Sequence, residues 1–450
     1  MSKPDTKFAH ALLRQHFSGV APERIVTGVR TFPARMRADL HTAIETLFGD
    51  DDCVLALVGL HKRGWHETLD FPTLCEAGQH AIMVGPLQYE EVEIGEERPV
   101  RCLKNALWLL ERDGLRHAMI LSEAFDMMTH ARETHIEIAA LAGPDAEALA
   151  SRYFAVLEDA VAKAGCYRGK VLSLESRRSY SGKASGILVH KLRSVGRDEI
   201  ILPKSTLDVL ERNVFEFFDR REALARLGMS VKKGLLFYGP PGTGKTHSIH
   251  YLASRLKDHT TLLVTAEQMG ILSDYMSLAR LLQPSILVIE DADLIARNRM
   301  QMGSVCEEVL LNQLLNEMDG LREDAEVLFI LTTNRPETLE TALASRPGRI
   351  DQAIEFPLPD AEGRRKLVEL YARGLKVPAE VMATIIKRTD QVSASFIKEL
   401  MRRAAQFRLA RGADPKLEAV DIEQALDELL VSGGRLNAAL LGADPEAAGS

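Results

Sequence analysis

The densest chemistry in the chain lies in eight consecutive residues, Gly239-Pro240-Pro241-Gly242-Thr243-Gly244-Lys245-Thr246. Glycines at 239, 242 and 244 let the backbone pass close to oxygen atoms and turn several N–H groups inward. Lys245 brings a full positive charge to the β- and γ-phosphates of a nucleotide, and the Thr246 hydroxyl can ligate Mg²⁺. Such a site needs partner carboxylates, and Glu290-Asp291-Ala292-Asp293 offers them. There they can hold the Mg²⁺ shell and polarise an attacking water. Asn334 has an amide that could orient that water between the carboxylates and the γ-phosphate. Arg346 and Arg349 bracket Pro347-Gly348, a rigid turn that presents two guanidinium groups. If a second copy packs against that turn, its arginines reach the neighbouring γ-phosphate.

These residues must be held by particular elements. The apolar run Leu235 to Tyr238 predicts a strand entering the glycine turn, and Ser248 to Lys257 a helix leaving it. That helix N-terminus adds partial positive charge at the phosphates. Ser285 to Ile289 and Val327 to Leu331 are apolar runs of buried-strand character. They end in the carboxylates and in Thr332-Thr333-Asn334, so both tips should lie beside the glycine turn. Helices are expected at 361–373, 379–388, 394–410 and 421–431, with Asp360 and Asp421 as N-caps and Gly412 as a stop.

Upstream, residues 5–17 and 35–48 have helical apolar spacing, and Cys53 to Leu60 has strand length. His135 to Leu141, residues 146–163 and Val171 to Leu174 read as strand, helix and strand. Residues 1–175 are therefore expected to form a separate α/β domain for recognising a substrate or partner. Residues 176–199 read as a linker; within it Ser176 to Gly186 sets Arg177, Arg178 and Lys183 among serines and glycines, and for that segment a phosphate-contacting loop is the sharper alternative. His61, His66 and Glu67 lie close together but lack the second histidine of a metalloprotease helix. Trp65 and Trp108 are read as core or interface anchors.

The 450 residues exceed one simple core, and 46% apolar with 27% charged residues describes a folded chain. A net charge of −8 argues against a dedicated nucleic-acid binder. The five cysteines lack paired spacing, so neither a zinc site nor a disulfide framework is expected. No apolar run approaches the roughly 20 residues that span a bilayer, and a cytoplasmic location is the expectation.

Residues 200–430 resemble the AAA family of AAA+ ATPases. The resemblance rests on the glycine turn, on 286–293, on Asn312-Gln313-Leu314-Leu315-Asn316-Glu317-Met318-Asp319-Gly320, and on Thr332 to Pro359. It implies a P-loop α/β module with a parallel sheet over 200–358, a helical lid over 359–432 and a tail over 433–450. It implies ATP and Mg²⁺ as ligands, with Lys245 and Thr246 in contact with them. It also implies a sensor role for Asn334, trans-acting fingers at Arg346 and Arg349, and a homo-oligomeric ring, hexameric in the expectation. Two departures stand out. The family order Asp-Glu is inverted here, which puts Glu290 at the Mg²⁺-organising position and the shorter Asp291 at the general-base position. The stretch around Leu202-Pro203 and this inversion are similar to the mitochondrial AAA translocase for folded Rieske protein. The pore-loop stretch Gln268-Met269-Gly270-Ile271 lacks the aromatic many unfoldases carry. Ser393-Ala394-Ser395-Phe396 takes the lid position nearest the nucleotide, without a sensor-2 arginine. Protein remodelling is the expected work; a nucleic-acid motor or loader, encouraged only by Arg297, Arg299 and the 176–186 segment, and an ATP-gated scaffold with little hydrolysis, are the alternatives.

Overall fold

The computed structural model describes residues 7–49, 53–62, 64, 68–126, 131–175, 186–293, 306–322, 325–337, 339, 348–412 and 414–432. The chain divides into two compact units, Met1–His190 and Lys191–Ser450. The division thus falls between His190 and Lys191, at one point inside the expected 176–199 linker. Ile187–His190 is no linker: it is a strand paired antiparallel with Val171–Leu174.

In the first unit six antiparallel strands form one sheet in the order β1-β8-β7-β6-β2-β3. They are β1 Ile25–Pro33, β2 Val54–His61, β3 Met83–Gly85, β6 Ala106–Arg112, β7 Leu115–Asp126 and β8 Ala131–Leu141. A separate ribbon joins β4 Tyr89–Val92 to β5 Val100–Leu103. Alternation along the strands makes two cores. On one face Met119, Leu121, Ile136 and Ile138 pack under helices Arg37–Phe48 and Pro144–Lys163, which contribute Leu40, Ile44, Phe48, Tyr153 and Leu157. On the other, Ala118, Ile120 and Ala139 meet Leu12 and Leu13 of helix Ala9–His16. Trp108 is buried in the first core beside Phe48, as an anchor residue should be. The strand–helix–strand order at 131–174 exists, but its two strands lie in different sheets. Trp65, His66 and Glu67 lie outside the described residues.

In the second unit five parallel strands run in the order β12-β13-β14-β11-β15: β11 Lys233–Tyr238, β12 Thr260–Val264, β13 Ser285–Ile289, β14 Val327–Thr333 and β15 Gln352–Glu355. β13 and β14 are buried along their whole length, as parallel strands covered on both faces are. Tyr238 pairs with Thr333 and Ile289 with Leu331, so the glycine turn, the carboxylates and Asn334 emerge along one edge of the sheet. β14 stands between the P-loop strand and the carboxylate strand. Helices Ala361–Tyr371, Ala379–Arg388, Ala394–Arg411 and Ala419–Leu426 form the lid around its own core, centred on Phe396, Leu400 and Ile422. Asp360 caps its helix, accepting from the Gly363 N–H at 2.7 Å. Asp421 does not cap: it sits at the third helical position and accepts from the Glu418 N–H, so Glu418 is the cap. Among the described residues no helix is long and apolar enough to cross a membrane.

Candidate active site

A cleft of about 720 Å³ opens at the carboxyl edge of the parallel sheet. Pro241, Gly242, Thr243, Gly244, Lys245 and Thr246 line it together with Asp291 and Asn334. The turn is tight: a Cβ at Gly242, whose φ is +76°, would lie 2.0 Å from Ser395 Oγ. The lid closes on that point, the Ser395 N–H donating to Gly242 O at 3.1 Å, while Ser393 caps its helix by accepting from the Phe396 N–H.

Lys245 is 7% exposed, and its ammonium donates to Gly239 O and Pro240 O, each at 2.9 Å. The Thr243 hydroxyl adds a bond to Pro240 O, fixing the turn from within. Burial pulls the Lys245 pKa down to about 8, against the opposing charges of Asp291 and Asp293. A buried ammonium held by carbonyls alone is under-compensated, so an incoming polyphosphate supplies what the fold leaves out.

Thr246 Oγ1 donates to Glu290 Oε1 at 2.9 Å across the width of β14. A hydroxyl and a carboxylate that close are an all-oxygen donor set, the kind Mg²⁺ takes, and the two residues fit that ion. Asp291 turns the chain with φ +50°, a left-handed value that non-glycine residues adopt at a cost of about 1–3 kcal/mol. Its N–H donates to Thr332 Oγ1 at 3.0 Å, and its Oδ1 accepts from Asn334 Nδ2 at 3.2 Å. The expected base and the expected sensor are therefore in direct contact, and the two carboxylates have different partners: Glu290 faces Thr246 and Asp291 faces Asn334.

Arg349 is not in this cleft. It lines a second one, of about 360 Å³, with Lys232, Lys233, Gly234 and Asp319. Its Nε donates to both Asp319 oxygens, at 2.9 and 3.0 Å, and Nη2 adds a third bond. A Cβ at Gly234 would approach Arg349 O to 2.0 Å, so only glycine lets this segment lie on β11. Arg346, Arg297, Arg299, the 176–185 segment and the 433–450 tail lie outside the described residues.

Other residues of the cleft were not singled out from sequence. His250 lines it one helical turn beyond Thr246; burial lowers its pKa and Glu290 opposes the shift. Lys398, one turn beyond Ser395, brings a lid cation. Helical spacing from a known site residue was the signal available for both. Of the pore-loop stretch, Met269 is fully buried in a 3₁₀ turn and cannot present a gripping side chain.

The model of the ATPase family associated with various cellular activities (AAA) matches residues 235–358. The ATP-dependent zinc metalloprotease FtsH of Thermus thermophilus is 31% identical over 233 residues, covering 49% of this chain and 37% of the relative. The proteasome-activating nucleotidase of Methanothermobacter thermautotrophicus is 31% identical over 221 residues, 46% of this chain and 53% of the relative. The 26S proteasome regulatory subunit 10B of Dictyostelium discoideum is 32% identical over 209 residues, 44% and 53% respectively. The chain thus spans about half, or less, of the length of these relatives. The matched segment, residues 235–358, carries the P-loop, both acidic residues and Asn334, and it is a module of the AAA family of ATPases.

Proposed function

We propose that the chain hydrolyses ATP with Mg²⁺ in a homo-oligomeric, hexameric ring and uses the cycle to remodel a protein client held by the N-terminal unit. The observation that carries the reading is the pairing of Thr246 with Glu290 and of Asn334 with Asp291 at one sheet edge. Lys245 and the inward N–H groups hold the β- and γ-phosphates. Thr246 and Glu290 would hold Mg²⁺, which would supply neutralisation of the phosphate charge. Asp291 takes a proton from the attacking water, which Asn334 orients; the water oxygen bonds to the γ-phosphorus as the bond from that phosphorus to the bridging oxygen breaks, ADP leaves with that electron pair, and inorganic phosphate is the second product.

Arg349 serves the neighbour. It lines a separate cleft from its own P-loop, and cyclic closure lets every copy both lend and receive a guanidinium. Arg346 is assigned to the same task. Remodelling is favoured over nucleic-acid work because the matched relatives are named as an ATP-dependent zinc metalloprotease, a proteasome-activating nucleotidase and a 26S proteasome regulatory subunit. The net charge points the same way. Since Met269 is buried, gripping is assigned to other surfaces than 268–271. A cytoplasmic home is consistent with Cys53, Cys75, Cys102 and Cys166, none of which is in a disulfide.

The test is steady-state turnover of wild type, Asp291→Asn and Glu290→Gln. Loss of a general base typically costs about 10²–10⁴-fold; equal rates in all three would leave only the ATP-gated scaffold. Mixing Lys245→Met chains with Arg349→Ala chains should restore turnover, since mixed rings contain junctions with an intact lysine facing an intact arginine. No recovery on mixing removes the shared site.

A further inference from the structure

Asp293 is 3% exposed and stands behind the cleft instead of lining it. Its Oδ1 accepts from Thr333 Oγ1 at 2.9 Å and from the Asn334 N–H at 3.2 Å. The sheet does not supply this connection. Register between β13 and β14 ends at the row joining Ile289 to Leu331, and beyond it the two strand tips are tied by side chains. Thr332 takes the Asp291 N–H, Thr333 and Asn334 both donate to Asp293, and the Asn334 carboxamide meets Asp291. The ring is closed; Asp291, Thr332 and Asn334 line the nucleotide cleft, while Thr333 and Asp293 lie behind it. Burying a carboxylate is costly unless donors meet it; here the donors are the Asn334 amide itself and the residue just before it.

We infer that Asp293 is a positioning residue for hydrolysis: it fixes the backbone of Asn334, and thereby where the carboxamide holds Asp291 against the attacking water. The inference rests on the proposed ATP hydrolysis and extends it to a residue that touches neither nucleotide nor metal. Because Asp291 is one methylene shorter than the family's glutamate, its placement depends more on such support.

The experiment is ATP turnover of the full chain with Asp293→Ala, Asp293→Asn, Asn334→Ala and the Asp293→Ala/Asn334→Ala double variant. Asp293→Ala should lower kcat about 10–100-fold, the scale of a small misplacement at the reacting centre, with the KM for ATP within about threefold. Asp293→Asn keeps an oxygen at the accepting position and should recover about half of the wild-type kcat or more. If Asp293 acts through Asn334, the double variant should match Asn334→Ala within about twofold. An unimpaired Asp293→Ala, a loss seen in KM alone, an asparagine variant as slow as alanine, or multiplicative losses in the double variant would each overturn the inference. Should Asp293→Ala not fold, Thr333→Val removes one donor at nearly constant volume and should lower kcat alone, by about 3–10-fold; an unchanged kcat there is equally fatal. A wild-type chain without turnover removes the proposed reaction and this inference together, whereas normal wild-type turnover with an indifferent Asp293 removes this inference only.

Discussion

Two cations are buried almost equally in the two units, and they are treated in opposite ways. Arg37, 5% exposed in the N-terminal unit, has its charge met within the fold. Nη1 donates to Glu90 at 3.0 Å and Glu123 at 2.5 Å, and Nη2 to Leu103 O and Lys104 O at 2.6 and 3.1 Å. Burial alone would push the Glu123 carboxyl up; the Arg37 charge and hydrogen bond bring it below the ordinary carboxylate range. Among the described residues, Lys245, 7% exposed, has two carbonyls and no carboxylate at bonding distance. Burial lowers its pKa to about 8, and the charges of Asp291 and Asp293 only partly oppose that. A buried charge with its counter-charges built in fastens a scaffold. One left short of them is waiting for an anion, and the structure alone tells the two apart.

The comparison can be broken most forcefully at Arg37. Arg37→Met strands Glu90 and Glu123 and should destabilise the N-terminal unit by about 3–5 kcal/mol, read as a lower denaturant midpoint. Lys245→Met removes an uncompensated charge and should leave the nucleotide-free chain no less stable than wild type. Equal losses for the two variants would end the distinction.

A somewhat smaller effect sharpens it from the ligand side. Saturating wild type with a slowly hydrolysed ATP analogue at 100 times its Kd should add about 2.7 kcal/mol to the stability of the ATPase unit. Arg37→Lys should keep that increment if the N-terminal unit remains folded, and Lys245→Met should lose it. Stabilisation of Lys245→Met by the analogue as strongly as wild type would detach the lysine from phosphate binding.

The least effect is a dependence on pH. The Lys245 pKa is lower folded than unfolded, so between about 8 and 10.5 the unfolded chain holds a proton the folded chain has released. Stability of the nucleotide-free chain should therefore rise across that window, by at most about 1.4 kcal/mol per pH unit. Lys233 is shifted the same way, so the quantity to measure is wild type minus Lys245→Met. A flat difference would contradict the buried-ammonium account.

How much of this was legible in the sequence varies with the range over which the information acts. Gly239 to Thr246 could be read as a phosphate cradle because a strand, a glycine turn and a helix start are set by consecutive residues. Glu290, Asp291 and Asn334 could be placed at strand tips because buried runs announce where parallel strands end. The lid helices followed from their periodicity and the Asp360 cap. The misreadings sit where a partner lies far along the chain. Asp421 looked like a cap, but its role depends on Glu418 starting the helix earlier. Val171–Leu174 looked like the return strand of a unit begun at His135, yet it pairs with Ile187–His190.

By itself, then, the sequence determined the nucleotide-binding chemistry, because a P-loop is a local backbone shape that glycines permit and a lysine completes. Tertiary structure decided the rest. Sheet register and the side chains beyond it brought Asp293 to the backbone of Asn334 across 41 positions. Packing turned Met269 inward, and folding left Arg349 on Asp319, in a cleft apart from its own P-loop. The reason is physical: such contacts are fixed by where whole elements come to rest against one another, and neither partner's neighbourhood in the chain carries the address of the other.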